Sequence, residues 1–113
     1  MPSKVLCYLR TLRREWNLSQ KELAGLVPGC CRGRISDVER EKIPPKASEL
    51  LAYAFIFNRT PESIFPGYTE EIEDAVMGRA YRLTQRLEDD DSPKARRKNE
   101  LLQDMLDRVT SNN

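Results

Sequence analysis

The residues best equipped for chemistry lie together in PGCCRGRIS, residues 28–36, where Cys30 and Cys31 adjoin Arg32 and Arg34. Two thiols beside two guanidiniums admit three chemistries: metal binding, a thiol redox reaction, or contact with an anion. The chain has no histidine and only one further cysteine, Cys7. That excludes Cys/His zinc sites, and an adjacent pair lacks the C-x-x-C spacing of a structural zinc centre. It also removes a histidine base for any Ser or Cys nucleophile. Neighbouring cysteines close only a strained ring, so the three are read as free thiols that pack or cap. Glycine-rich phosphate loops and nucleophile–base pairs are absent too, so neither enzyme activity nor a cofactor is expected. Asp89, Asp90 and Asp91 are read as a solvated acidic loop rather than a cation site. What remains is the arginines and an acidic ligand. An Arg fork matches the O6 and N7 atoms of guanine. In isolation Arg32 and Arg34 could equally be solvated surface charges.

The charge distribution agrees with an anionic partner for one part of the chain. Over 113 residues the net charge is only +1, but residues 1–68 carry a net of +4 and residues 69–113 a net of −3. A basic first part is the electrostatic requirement for a polyanion; an acidic second part suggests another task. No apolar run is long enough to span a bilayer, and MPSKVLCYLR lacks the apolar centre of a secretory signal. The expected location is cytoplasmic, with no membrane association.

Only helical periodicity appears in the chain, so the expected class is all-α. Val5, Tyr8, Leu9, Leu12 and Trp16 form the stripe of a first helix, with Asn17 as a left-handed stop. Ser19 and Glu22 form a capping box for a second, which holds Leu23, Leu26 and Val27 and stops at Pro28-Gly29. A third begins after Cys31, in the position of a Ser or Thr cap, and carries Ile35 and Val38. Cys30 stands where a small packing residue belongs. Pro44 and Pro45 close that segment. A fourth is expected to bury Ala47, Leu50, Leu51, Ala54 and Phe55. Thr60 and Pro61 start a short fifth with Ile64 and Phe65, and Pro66-Gly67 is read as a break. Two amphipathic helices follow on either side of Glu88–Asp91, the second opened by Ser92-Pro93. The expected domains are 1–67 and 68–113.

At this point the residues themselves resemble a family. LRTLRREWNLSQKELAGLV, RISDVEREKIPP and LLAYAFIFNRTPESIF look like the lambda-repressor-like, Cro/C1-type helix-turn-helix family (XRE family), over roughly residues 5–66. The resemblance implies a five-helix DNA-binding domain whose third helix lies in the major groove of double-stranded DNA. It places Gln20 on a phosphate, and Arg32, Gly33, Arg34 and Asp37 at the reading positions. Arg40 and Lys42 follow the DNA backbone, and Lys21, Cys31 and Ser36 complete the contact set. It also pairs Arg13 with Glu39, tying the first helix to the third. One of Arg32 and Arg34 is expected to read a base and the other a phosphate. Oxidation of Cys31 would weaken binding by disturbing the cap. Two positions depart from the pattern: the PG turn is one residue longer, and Glu41 replaces the glycine after E-R. The third helix is therefore expected to end differently, or to run on to Lys42.

The implied function is a sequence-specific transcriptional regulator, a repressor acting as a homodimer on an inverted-repeat operator. Dimerisation is assigned to the last two helices, through Leu83, Leu87, Leu102, Met105 and Leu106. The alternatives are a hairpin that buries those residues within one chain, and an antitoxin-type protein whose C-terminal helices bind a protein partner.

Overall fold

The computed structural model describes residues 6–111, which form seven helices and no strand. In chain order they are α1 (Leu9–Glu15), α2 (Gln20–Leu26), α3 (Arg32–Glu39), α4 (Ala47–Phe57), α5 (Pro61–Ile64), α6 (Pro66–Arg86) and α7 (Pro93–Ser111). The chain divides into two compact units, the first ending at Glu71 and the second beginning at Ile72. That boundary lies inside α6. Pro66-Gly67 is therefore not a break: Pro66 is the first residue of α6, where a fixed φ and a missing N–H cost nothing. Tyr68 packs on the first unit's core, its ring centroid 6.2 Å from that of Phe65.

Local signals set most helix ends in the first unit. Ser19 Oγ accepts the Glu22 amide at 3.0 Å, and Glu22 accepts the Ser19 amide at 2.9 Å, which fixes the start of α2. Thr60 Oγ1 accepts the Ser63 amide at 3.2 Å ahead of Pro61. Asn17 at φ 57° and Asn58 at φ 52° are left-handed stops. At Asn17 the amides of Asn17 and Leu18 return to the carbonyls of Arg14 and Arg13 at 3.1 Å, a complete Schellman ending.

The core of this unit gathers Leu9 and Leu12 of α1, Leu23 and Ala24 of α2, Ile35 and Val38 of α3, Tyr53 and Phe57 of α4, and Ile64 and Phe65. Each large side chain so buried contributes roughly 1.5–3 kcal/mol. Two expectations change here. Val5 lies outside the described residues, and Tyr8 and Trp16 leave the expected α1 stripe. Trp16 is 68% exposed because it follows the last helical residue, where the Schellman turn carries it off the face. On α4 the buried line is Glu49, Tyr53 and Phe57, while Leu51 is 70% and Phe55 88% exposed. The sequence ASELLAYAFIF is apolar almost all round, so hydrophobicity alone does not fix its rotation. The Glu49 carboxylate does, because its charged partner lies inside.

In the second unit α6 and α7 are joined through residues 87–92 and line a common cleft, with Met77 and Thr84 from α6, Leu87 from the connection, and Asn99, Leu102 and Leu106 from α7. Ala80 and Ala95 are its most buried side chains. Ser92 Oγ accepts the Ala95 amide at 3.2 Å and starts α7, with Pro93 as its first residue. Asp90 Oδ1 accepts the Ser92 amide at 2.9 Å and so shapes the acidic connection. No helix among the described residues is long and apolar enough to cross a membrane.

Candidate nucleic-acid interface

Helix α3 is held between ion pairs near its two ends. Toward its C-terminus, Arg13 Nε and NH2 donate to Glu39 Oε2 and Oε1 at 2.6 and 3.0 Å. Arg13 NH1 also donates to the Leu18 carbonyl at 2.8 Å, and Gln20 Nε2 donates to Glu39 Oε1 at 3.1 Å. One carboxylate thereby joins α1, α2 and α3. The Glu39 hydrogen bond, followed in effect by its charge, raises the Arg13 pKa further above its usual value against the opposing pull of burial. The pairing of Arg13 with Glu39 that the resemblance implies is present.

Near its N-terminus, Arg34 Nε and NH2 donate to Glu49 Oε2 and Oε1 at 2.7 and 2.6 Å. Glu49 is buried, and its Oε1 also accepts the Lys46 amide at 2.7 Å, which caps α4. The Arg34 hydrogen bonds hold the Glu49 carboxyl below the usual carboxylate range, aided by the Lys46 amide and opposed by burial. Such two-pronged, charge-assisted pairs fix orientation as well as distance.

These pairs divide the expected contact residues into two groups. Arg34, expected on the DNA side with Arg32, instead turns inward and commits its fork to α4. Gln20, expected on a phosphate, uses one amide hydrogen on Glu39. Arg32, Gly33, Cys31, Lys21, Arg40 and Lys42 are exposed, and Ser36 and Asp37 are half-buried. A Cβ placed on Gly33 would meet only Cys31 Sγ, at 3.9 Å, so packing does not require glycine there.

The cysteines take the positions their neighbours suggest. Cys31 is the N-cap residue of α3 in extended geometry, yet its side chain makes no capping hydrogen bond. Oxidation at its sulfur therefore has no capping bond to break, contrary to the expected redox effect. Cys30 Sγ lies half-buried, 3.6 Å from Glu49 Oε2, and burial followed by the Glu49 charge raises its pKa. Burial pushes the Cys7 thiol up to about 11. All three described cysteines are free thiols.

No family model, curated protein or solved structure matches this chain. Its site has to be read from its own geometry.

The end of α3 is informative in that respect. The helix does not run on to Lys42. It stops at Glu39, with Arg40 as C-cap and Glu41 left-handed at φ 63°. The Glu41 amide returns to the Val38 carbonyl at 3.1 Å and the Lys42 amide to the Asp37 carbonyl at 2.9 Å. This is again a Schellman ending, with glutamate where the geometry favours glycine. Glu41 Oε1 accepts the Leu6 amide at 3.2 Å. That bond carries the chain ahead of α1 onto the end of α3, and periodicity gave no sign of it.

Of the residues assigned to dimerisation, Leu83, Leu87, Leu102 and Met105 are half-buried, and Leu106 is exposed. Leu87, Leu102 and Leu106 face the cleft between α6 and α7. Within one chain these side chains are already partly used.

Proposed function

We propose that this chain is a sequence-specific DNA-binding transcriptional regulator of the lambda-repressor-like, Cro/C1 type. It acts as a dimer on an inverted-repeat operator with α3 in the major groove. The observation that carries the reading is the double fastening of α3, by Arg34 to Glu49 and by Glu39 to Arg13 and Gln20. A helix that reads base edges must be held in a fixed pose, since bidentate pairing tolerates little error. Both fastenings lie toward the protein, and the exposed side of the helix is left with Arg32, Arg40 and the adjoining Lys42. In this reading Arg32 reads guanine, Arg40, Lys42 and Lys21 meet phosphates, and Asp37 accepts from a cytosine amine at the edge of the contact. Arg34 positions the helix and does not touch DNA. Repression follows from occupancy alone, because a bound dimer occludes a promoter without any further contact.

The test is selection of duplexes from a random pool at moderate salt. An enriched inverted repeat with half-sites about one helical turn apart supports the reading. Weak binding that depends only on salt, with nothing enriched, overturns it.

A further inference from the structure

Helix α7 carries most of its charges in an order that its own dipole does not explain. Lys94, Arg96, Arg97 and Lys98 fill its first turns, Glu100, Asp104 and Asp107 follow, and Arg108 stands in the last turn. A helix favours acidic groups at its start and basic groups at its end, so this order, Arg108 apart, opposes the macrodipole. Helix α6 has the favourable order, from Glu73 and Asp74 to Arg79, Arg82 and Arg86. The short connection and the shared cleft set α7 antiparallel to α6. The basic start of α7 therefore lies near the basic end of α6, and the acidic Glu88, Asp89, Asp90 and Asp91 of the connection lie between them and offset part of that charge.

An antiparallel second α7 centred on Leu101 sets Lys98 of each copy opposite Asp104 of the other, an attraction at two symmetric places set against the repulsion of the outlying Lys94 and Arg108, which also face each other. The outer face of the helix has the composition for it. Lys94, Arg97, Lys98, Glu100, Leu101 and Asp104 line one shallow concavity, with Leu101 59% exposed at its centre. Lys98 and Asp104 stand at equal spacing on either side of Leu101. The intrahelical pairs already there, Arg97 to Glu100 at 2.6 Å and Arg108 to Asp104 at 3.1 Å, are exposed. Such pairs hold their partners weakly and leave the charges able to re-pair. A polyanion is the less favoured occupant, since Glu88, Asp89, Asp90 and Asp91 border the basic end.

We infer that the Leu101 face of α7 is a self-complementary interface, on which two copies of this chain pair antiparallel with Lys98 of each opposite Asp104 of the other. This deepens the dimer of the proposed function and rests on that part of it. It places the contact on the Leu101 face of α7 rather than on Leu83, Leu87, Leu102, Met105 and Leu106, of which Leu87, Leu102 and Leu106 line the cleft of the hairpin. A two-fold contact must be isologous, the same patch on both copies, and a patch with opposite charges at equal spacing about its centre meets that condition.

The experiment uses the full chain and two charge reversals, Lys98→Glu and Asp104→Lys, followed by sedimentation equilibrium at micromolar concentration. Wild type is expected to dimerise. Each single variant is expected to self-associate about tenfold more weakly or worse, because both symmetry-related pairs become repulsive. The two variants mixed are expected to form a heterodimer, since both pairs are then attractive. That recovery also shows that the variants are folded. A monomeric wild type, single variants that dimerise normally, or a mixture no more associated than its components each overturns the proposal. Duplex selection on the same preparations separates the two readings. An inverted repeat with undisturbed single-variant dimers removes only the α7 pairing, whereas rescue by mixing with no enriched duplex removes only the DNA reading.

Discussion

Arg34 and Glu49 form a two-pronged ion pair between α3 and the start of α4, with Nε to Oε2 at 2.7 Å and NH2 to Oε1 at 2.6 Å. The pair makes Arg34 a positioning residue and leaves Arg32 as the exposed arginine of α3. The two should separate cleanly on mutation. Arg34→Ala leaves a buried carboxylate without its cation and should cost about 3 kcal/mol of stability. Arg34→Lys keeps the charge but not the fork, so on the proposed DNA-binding reading it should bind duplex less well with the selected motif unchanged. Arg32→Ala should alter stability by less than about 0.5 kcal/mol. It should relax discrimination at one base pair of each half-site by about 1–3 kcal/mol. Denaturant melts and duplex selection on the three variants decide this. An Arg34→Lys protein that selects a different motif would make Arg34 one of the reading residues of the proposed DNA contact and overturn its positioning role.

The same pair predicts an acid-sensitive joint. Arg34, with help from the Lys46 amide, lowers the Glu49 pKa in the folded chain. The unfolded value is near 4.3. A depressed carboxylate stabilises the fold fully above the unfolded pKa and loses that contribution as pH falls through the folded value. Wild type should therefore lose stability below about pH 4.3 faster than Glu49→Gln, although the variant is less stable at neutral pH. Urea midpoints measured down to about pH 3 report the difference. Parallel slopes for the two proteins would show that the pair does not titrate with folding.

What the sequence disclosed, and what it withheld, follows from the range of the interactions. The capping box of Ser19 and Glu22, the Thr60-Pro61 start and the Asn17 stop are contacts between residues a few positions apart. They are legible because spacing alone defines them. The rotation of α4 depends on Arg34, fifteen positions before Glu49 in the chain. Nothing in ASELLAYAFIF shows that its lone carboxylate points inward, so apolar spacing alone puts Leu51 and Phe55 inside. The same missing partner made Arg32 and Arg34 look equivalent. Pro66-Gly67 illustrates a local ambiguity: the pair suits a break and the first turn of a helix equally, and packing of Tyr68 on the core favours the helix.

Glu41 offers a direct test of the end of α3. Its backbone is left-handed at φ 63°, which costs a non-glycine residue roughly 1–2 kcal/mol. Glu41→Gly removes that cost but loosens the unfolded chain and gives up the exposed bond to the Leu6 amide. The balance should favour the variant by about 1 kcal/mol, or about 5 °C in melting temperature for a unit of this size. A neutral or destabilised Glu41→Gly would mean that the tether to Leu6 outweighs the backbone strain.

Tyr53 is the largest fully buried side chain, and its hydroxyl has no hydrogen-bond partner among the described residues. Its ring is well placed, with its centroid 6.0 Å from that of Phe65 at a 39° tilt. Burial is the chief cause of its strongly raised pKa, with the nearby Cys30 and Glu49 adding to it. The ring therefore stabilises the core while the hydroxyl is held there at a cost. Tyr53→Phe keeps the ring and removes the buried oxygen, so it should be neutral or stabilising by up to about 1 kcal/mol. Tyr53→Ala removes both and should cost about 3–5 kcal/mol. Chemical denaturation of the two variants checks the sign. A Tyr53→Phe chain destabilised by more than about 1 kcal/mol would reveal a satisfied hydroxyl, and with it a polar contact at the joint between α3 and α4 beyond the Arg34–Glu49 pair.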